Sequence, residues 1–333
     1  MKYIDDDLTD KKILITGGAG FIGANLAFYF QKNHPNAKVT VLDIFRTEET
    51  FSNGNLKSFG HFKNLLGFSG EVRAGDINDS QVIAQLQEEG YDYIFHEAAI
   101  SDTTVLDQAI MIATNVNAFK ALLDVAVDSN ATMIYASSAA TYGNAKSPQR
   151  VGKEAPENVY GFSKLMMDNI AREYRENHPS MTLVGLRYFN VYGAREYFKN
   201  STASMVLQFG LQILKGNAPR LFEGSDKIRR DFIYIEDVIQ ANIKAMQGKS
   251  GVYNVGTGKP RSFQDIADTL QDVLGVDYGN EYIKNPYTAY QTFTQADITS
   301  TQEALGYAPR FSLEEGIAAY IDDIKRLYKV EVS

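Results

Sequence analysis

From Lys12 onward, short uninterrupted apolar runs alternate with longer runs whose apolar residues recur every three or four positions. KILIT (12–16), FIGANLAFYFQK (21–32) and KVTVLD (38–43) set the rhythm. An apolar run without polar alternation fits a strand buried on both faces, and the amphipathic run between two such strands fits a crossover helix. The pattern continues through EVRAGDI, VIAQLQEE, YDYIFHEAA, ATNVNAFKALLDVAVDS, ATMIYASS, a helix carrying Tyr160, and MTLVGLRYFNVYG. Repeated strand–helix–strand units predict an α/β fold built on a doubly wound parallel sheet. After Tyr192 the rhythm loosens, although RRDFIYIEDVIQANIKAMQ and GVYNVGTG read as one more helix and strand. Residues 1–193 plus about 230–256 are therefore expected in the sheet domain, with about 194–229 and 257–333 in a smaller α/β domain over the sheet's carboxyl edge. RTEETFSNGNLKSFGHFKN (46–64), the longest polar stretch without a period, predicts an ordered loop beside a ligand.

Composition narrows the chemistry. The 333 residues, 44% of them hydrophobic, suffice for one large domain or two unequal ones. A formal charge of −8 gives no basic footprint for nucleic acid or an anionic membrane surface, so neither is an expected partner. The absence of cysteine excludes disulfides, thiolate metal sites and a thiol nucleophile. The four histidines, His34, His61, His96 and His178, are scattered, and no metal is expected. Met1–Lys12 is polar and acidic, and no later run is expected to serve as a membrane span; the expected location is cytoplasmic.

The first strand runs into TGGAGFIG, which sets Gly17, Gly20 and Gly23 three residues apart at the start of a helix, with Phe21 and Ile22 between. Glycines there permit a tight turn, close approach of backbone to a pyrophosphate, and tight helix–strand packing. Asp43 ends the second strand at the distance where an acidic residue meets the adenosine ribose of NAD. A 2′-phosphate would need a cation instead, and Arg46 stands three residues on, so NAD and NADP both remain open. Asp76 after the third strand reads either as an adenine contact or as a turn residue.

Tyr160 and Lys164 lie four apart where a helix begins, so they share one face. The pair is either surface decoration or an acid/base device. A phenol titrates near pH ~10 unaided, and a neighbouring ammonium together with a cationic nicotinamide would favour the phenolate. Ser138, closing the fifth strand in YASSAATYG, is placed to hydrogen-bond a substrate hydroxyl and the Tyr160 hydroxyl together.

The glycine loop, Ser138 and Tyr-x-x-x-Lys in that order resemble the extended short-chain dehydrogenase/reductase family, whose sheet is of the Rossmann type. FHEAAISDTT, YASSAATYG, ENVYGFSK, RYFNVYGAREYFKNSTASM, LFEGSDKIRRDFIYIEDV, YNVGTG and YQTFTQADI, spanning Ile13–Ile298 with the glycine loop, resemble the ADP-glyceromanno-heptose 6-epimerases within it. That resemblance implies an isomerase that inverts C6″ of an ADP-heptose for the lipopolysaccharide inner core by transient oxidation, with NADP as cofactor. It implies Tyr160 as one acid/base and Lys199 as the other, facing the opposite side of C6″. A loop lysine pairing with the substrate diphosphate is the other reading of Lys199. It further implies that Ile44, Glu97, Ala98, Ala99, Ile100, Ser101 and Asn115 line the cofactor. The implied substrate contacts are Asn190, Val191, Ser201, Gln208, Phe222, Glu223, Gly224, Ser225, Arg230 and Tyr290. Arg230 reads as a diphosphate clamp or as an ion-pair partner of Asp231 or Glu236. Two positions depart from the family pattern: Thr50 replaces a lysine beside the 2′-phosphate, leaving Arg46 as substitute, and Gln208 replaces a histidine. The resemblance also implies a homo-oligomer.

Other readings are a nucleotide-sugar 4-epimerase, which needs no base at Lys199, and a non-catalytic cofactor sensor. The sensor would dispense with Tyr160 and Lys164. A 4,6-dehydratase would carry an acid after Ser138, where Ala139 and Ala140 stand.

Overall fold

The structure, a computed structural model, describes residues 1–285 and 291–332. Its first half runs β1 (Lys12–Thr16), α1 (Phe21–Asn33), β2 (Lys38–Asp43), β3 (Glu71–Ala74), α2 (Ser80–Glu89), β4 (Tyr93–His96), α3 (Gln108–Ile112), α4 (Ala118–Asp128), β5 (Thr132–Ser138), α5 (Val159–Asn177) and β6 (Leu183–Tyr188). Then come β7 (Asn190–Tyr192), α6 (Met205–Leu214), β8 (Arg220–Phe222), β9 (Arg229–Arg230), β10 (Phe232–Tyr234), α7 (Ile235–Ala245), β11 (Gly251–Val255), β12 (Arg261–Ser262), α8 (Phe263–Leu274), β13 (Glu281–Ile283), α9 (Thr299–Leu305) and α10 (Leu313–Val332).

Seven strands pair in parallel in the order β11-β6-β5-β4-β1-β2-β3. This is the doubly wound Rossmann order with one strand added beyond β6. Register explains the unbroken apolar runs. Ile13 and Ile15 pair with Val39 and Val41 on one side and with Tyr93 and Phe95 on the other. Those positions join one core cluster with Ala24, Leu26 and Phe30 of α1 and Val238 of α7. Leu14, Leu42, Ile94 and Met133 point the other way, against Leu86 of α2, Phe119 and Leu122 of α4 and Met167 of α5. Both faces are dry, so no polar alternation survives in the central strands. At the edge that logic lapses: in β3, read from sequence as a buried strand, Val72 is 45% exposed.

Two further expectations change. MTLVGLRYFNVYG is two strands, because Phe189 leaves the main sheet and β7 pairs in parallel with β10. Among the described residues one helix, Gln108–Asp128, is long and apolar enough to cross a membrane, contrary to the expectation of no such run. Half of its window is buried inside the fold, and a π turn at Ala113–Asn117 interrupts it.

The later segments form helices α6, α8 and α10 with two short pairs, β8 with β13 and β9 with β12. Phe209, Ile213, Ile266, Leu270, Ile317 and Ile324 bury their shared faces and continue the α1 side of the main core. Residues 251–255 return to the main sheet as β11, as the sequence suggested, whereas β9 and β10 do not join it.

Candidate active site

The order of the sheet reverses between β1 and β4, so the turns after these strands diverge and leave a crevice at their carboxyl ends. A cavity of about 700 Å³ occupies it. Gly17, Gly20, Phe21, Ile22 and Gly23 form its floor. Gly17 has φ +67°, and a Cβ there would stand 2.6 Å from Ala98 N; one at Gly23 would stand 2.4 Å from Gly17 O. At Gly20 only Gly17 O comes near, at 3.1 Å, so the remaining side is open to a ligand. Gly20 caps α1 without a side chain, which leaves the helix N-terminus for an anion. These residues fit the pyrophosphate of a dinucleotide.

Asp43 also lines the cavity, but its carboxylate is committed to the backbone. Oδ2 accepts from Ala19 N at 2.9 Å and Oδ1 from Phe45 N at 2.8 Å. Burial raises its pKa, and those amides oppose the rise. Asp76 takes the turn role, accepting from Asn78 N at 2.8 Å, and also lines the cavity. Arg46 does not line the cavity; its N–H bonds Gly60 O at 2.7 Å. Lys57 and Ser58 line that end instead, with Thr47 and Glu49, and Lys57 pairs with Glu49 at 2.8 Å.

The polar 46–64 stretch is the ordered loop the sequence suggested, folded as a flap over the cavity. Phe51 N donates to Asn55 O at 2.8 Å and Lys57 N to Glu49 O at 2.9 Å. Asn53 and Asn55 both donate to Asp102 Oδ2, at 3.0 and 2.8 Å, and Ser201 Oγ donates to Asn55 at 2.9 Å. At its tip Phe51 packs with Ile100, Val105, Met111 and Tyr160. A run without periodicity gave no signal for these roles.

Glu97, Ala98, Ala99, Ile100 and Ser101, with Ile44, line the cavity. Asn115 does not. It is fully buried beneath, with Oδ1 accepting from Ile100 N at 2.8 Å and Nδ2 donating to Ile100 O at 3.0 Å. It braces the wall because bonding both the N–H and the C=O of one residue needs an amide, a requirement invisible without knowing the partner.

Tyr160, Lys164 and Ser138 converge on the cavity. Asn158 caps α5 through Gly161 N at 2.7 Å, and a Cβ at Gly161 would lie 2.4 Å from Ala140 O. Glycine there lets α5 press on the turn after β5 and brings Tyr160 to Ser138. Ser138 Oγ accepts from Ala140 N at 3.1 Å and stands close enough to the Tyr160 side chain to act on its acidity. Lys164 donates to Ala136 O at 2.7 Å, its Nζ 5.9 Å from the Tyr160 ring centre. Burial pushes Lys164 down to about 8. Burial also raises Tyr160; Ser138 opposes that rise and Glu97 adds to it. Glu97 accepts from Tyr188 OH at 2.9 Å and is pushed up to about 7 by burial.

Lys199 reaches the same cavity from a 3₁₀ turn, Tyr197–Thr202, its Nζ 5.7 Å from the Phe21 ring centre. Stacking of Phe198 on His61, with centres 3.8 Å apart, anchors that turn. Burial lowers the Lys199 pKa and the Glu196 carboxylate opposes it.

Of the expected substrate residues the cavity takes only Val191. Asn190 shares β7 with it, and Ser201 is turned to the flap. Gln208 donates to Ala203 O at 2.7 Å, and Phe222–Ser225 form a turn closed by Ser225 N to Phe222 O at 3.0 Å. Arg230 is buried on β9 and bonds Gln291 O, while Asp231 accepts from Thr257 N, Gly258 N and Ala296 N. Tyr290 lies outside the described residues.

Comparison with known proteins agrees with this geometry. The model of the NAD dependent epimerase/dehydratase family matches residues 13–256. The solved ADP-L-glycero-D-manno-heptose-6-epimerase of Helicobacter pylori is 52% identical, with 98% of this chain and 99% of that one covered and a TM-score of 0.89. UDP-glucose 4-epimerase of Thermotoga maritima is 26% identical over 95% and 99% of the chains, TM-score 0.84. UDP-glucuronic acid 4-epimerase of Bacillus cereus, solved with UDP-glucuronic acid and NAD, is 27% identical over 95% and 100%, TM-score 0.80. With the Rossmann sheet, the glycine cradle and the Ser138, Tyr160 and Lys164 convergence in place, this chain belongs to the NAD dependent epimerase/dehydratase family.

Proposed function

We propose that this chain is an isomerase, an ADP-glyceromanno-heptose 6-epimerase that interconverts ADP-D-glycero-D-manno-heptose and its L-glycero epimer at C6″. One observation carries the choice over a 4-epimerase: besides the Tyr160 and Lys164 pair and Lys57 of the flap, the cavity holds a further lysine, Lys199. The likeness to the Helicobacter pylori heptose epimerase supports it.

The cofactor's chemistry here is reversible hydride exchange with C6″. Oxidation of the C6″ alcohol releases a hydroxyl proton as well as a hydride, and Tyr160, acting as the phenolate beside Ser138, accepts that proton. Lys164 holds positive charge behind the phenol. Reversing the configuration requires the hydride to return to the opposite face of the ketone, where Lys199 donates the proton that re-forms the hydroxyl. The two groups then exchange protons with solvent and the enzyme is reset. Arg230 is the diphosphate clamp in this reading.

NADP is the cofactor we favour, with Lys57, Ser58 and Thr47 meeting the 2′-phosphate in place of Arg46. NAD is the alternative, supported by Asp43 and by the NAD held in the Bacillus cereus relative. Relative affinities for NADP and NAD in wild type and Lys57→Ala separate the two. A cysteine-free chain suits a reducing cytosol, and lipopolysaccharide inner-core heptose is the product's destination in this reading.

Proton NMR of the C6″ signals, with purified protein and ADP-D-glycero-D-manno-heptose, tests the assignment. Appearance of the L-glycero epimer, lost in Lys199→Ala while cofactor binding is kept, is the expected result. No conversion with either NADP or NAD added overturns the heptose assignment and moves the test to UDP-sugars.

A further inference from the structure

We propose that Glu196 is a positioning residue for Lys199, a buried carboxylate that closes the loop carrying this lysine and fixes where its ammonium group stands. This rests on the reading of Lys199 as the second acid/base.

Glu196 is fully buried and does not line the cavity, so it does not meet the reactants. Its Oε1 accepts from Gly193 N at 3.1 Å and from Ser204 Oγ at 2.7 Å, and its Oε2 accepts from Ser204 N at 2.7 Å. Gly193 opens the loop after β7 and Ser204 caps α6, so one side chain joins both ends of the segment. Inside it the backbone is unusual: Arg195 has φ 73° and Asn200 has φ 53°, both left-handed without being glycine. Residues in that region persist only where surrounding bonds hold them. Lys199 N donates to Glu196 O at 3.0 Å, which fixes the start of the lysine relative to the carboxylate.

The same carboxylate acts on charge. Burial lowers the Lys199 pKa, and Glu196 is the group that raises it. Tyr160, Lys164 and Glu97 share the cavity with Lys199 from the other elements, Lys63 lies over the neighbouring Phe198 ring, and Tyr320 of α10 faces Glu196 from behind. A carboxylate satisfied by three donors needs no lysine to neutralise it fully, so the ammonium remains available to a ligand in the cavity.

The test compares Glu196→Gln, Glu196→Asp, Ser204→Ala and Lys199→Ala. Gln offers one accepting oxygen where the native side chain offers two, and it removes the charge. In Glu196→Gln, kcat should fall roughly 100-fold, with KM and cofactor affinity near wild type, as expected when a reacting group is displaced. The Lys199 titration, read by ¹³C NMR of reductively methylated lysines and assigned by its loss in Lys199→Ala, should move down by about one pH unit. Glu196→Asp should restore that midpoint, and Ser204→Ala should lower kcat without moving it. Unchanged kcat and an unchanged Lys199 midpoint in Glu196→Gln overturn the proposal. If Glu196→Gln fails to fold, wild-type kcat in both Glu196→Asp and Ser204→Ala overturns it. Full activity in Lys199→Ala would remove the catalytic reading of Lys199, while the titration still decides whether Glu196 governs that lysine.

Discussion

At the residue scale the site depends on a few groups whose burial changes their acidity. Tyr160 is almost fully buried beside Ser138, so Tyr160→Phe removes the proton acceptor while leaving the ring's packing on Phe51 and Ile100 intact. Turnover in that variant should fall by about 10²–10⁴, the usual contribution of a placed acid/base group, with the melting temperature nearly unchanged. Glu97 gives a separate pH signature. Burial raises it from its ordinary 4.5 to about 7, so between those values the folded protein holds a proton that the unfolded chain has released. Its contribution to stability is present below pH ~4.5 and is lost as pH rises through about 7. Melting temperatures of Glu97→Gln relative to wild type should therefore climb across that window and level off above it. A flat difference would contradict the assignment. Sequence showed Tyr160, Lys164 and Ser138 because their chemistry and spacing are local. Glu97's bond to Tyr188 was not legible because its partner is distant in the chain, and the bonds of Glu196 and Asn115 were not, because they join irregular backbone that follows no period.

At the element scale two local structures shape the crevice. The turn into α1 is so close-packed that a Cβ at Gly23 would lie 2.4 Å from Gly17 O and 2.7 Å from Gly18 Cα, both backbone atoms. Gly23→Ala should force helix and turn apart, cost about 1–3 kcal/mol of stability and abolish dinucleotide binding, measured by thermal unfolding and by titration with cofactor. The flap is held by hydrogen bonds to a charged acceptor: Asn53 and Asn55 donate to Asp102, and Ser201 donates to Asn55. Asn55→Ala removes the link that joins the cofactor wall to the loop bearing Lys199. Cofactor release should accelerate about tenfold in stopped-flow fluorescence, in line with losing a charge-assisted bond. The glycine turn was legible because spacing alone encodes it. The flap was legible only as an ordered loop, because its contacts follow no period.

At the scale of the whole molecule, one apolar cluster runs from the sheet through α1 into α6, α8 and α10, so these helices rest on the same core as the dinucleotide crevice. Behind the crevice, fully buried Arg187 pairs with Asp168 at 2.8 Å, and Asp168 also accepts from Tyr135 and Ser137. Lys164 thus stands on a charged yet satisfied floor. The central sheet was readable in outline because strands buried on both faces are apolar throughout. Its edge at β3 and the split between β6 and β7 were not, because they depend on which neighbour each strand has. The strands that pair outside the main sheet, two or three residues long, carry too little periodicity to be read.

The central claim is that C6″ itself is oxidised and re-reduced within one enclosed site. Substrate carrying deuterium at C6″, incubated with the enzyme in ordinary water and followed by NMR and mass spectrometry, tests this most directly. The account predicts an L-glycero product that keeps its deuterium at C6″, with no solvent hydrogen at that carbon. Washout of the label into solvent, with hydrogen appearing at C6″, would contradict transient oxidation and point to proton abstraction from carbon instead.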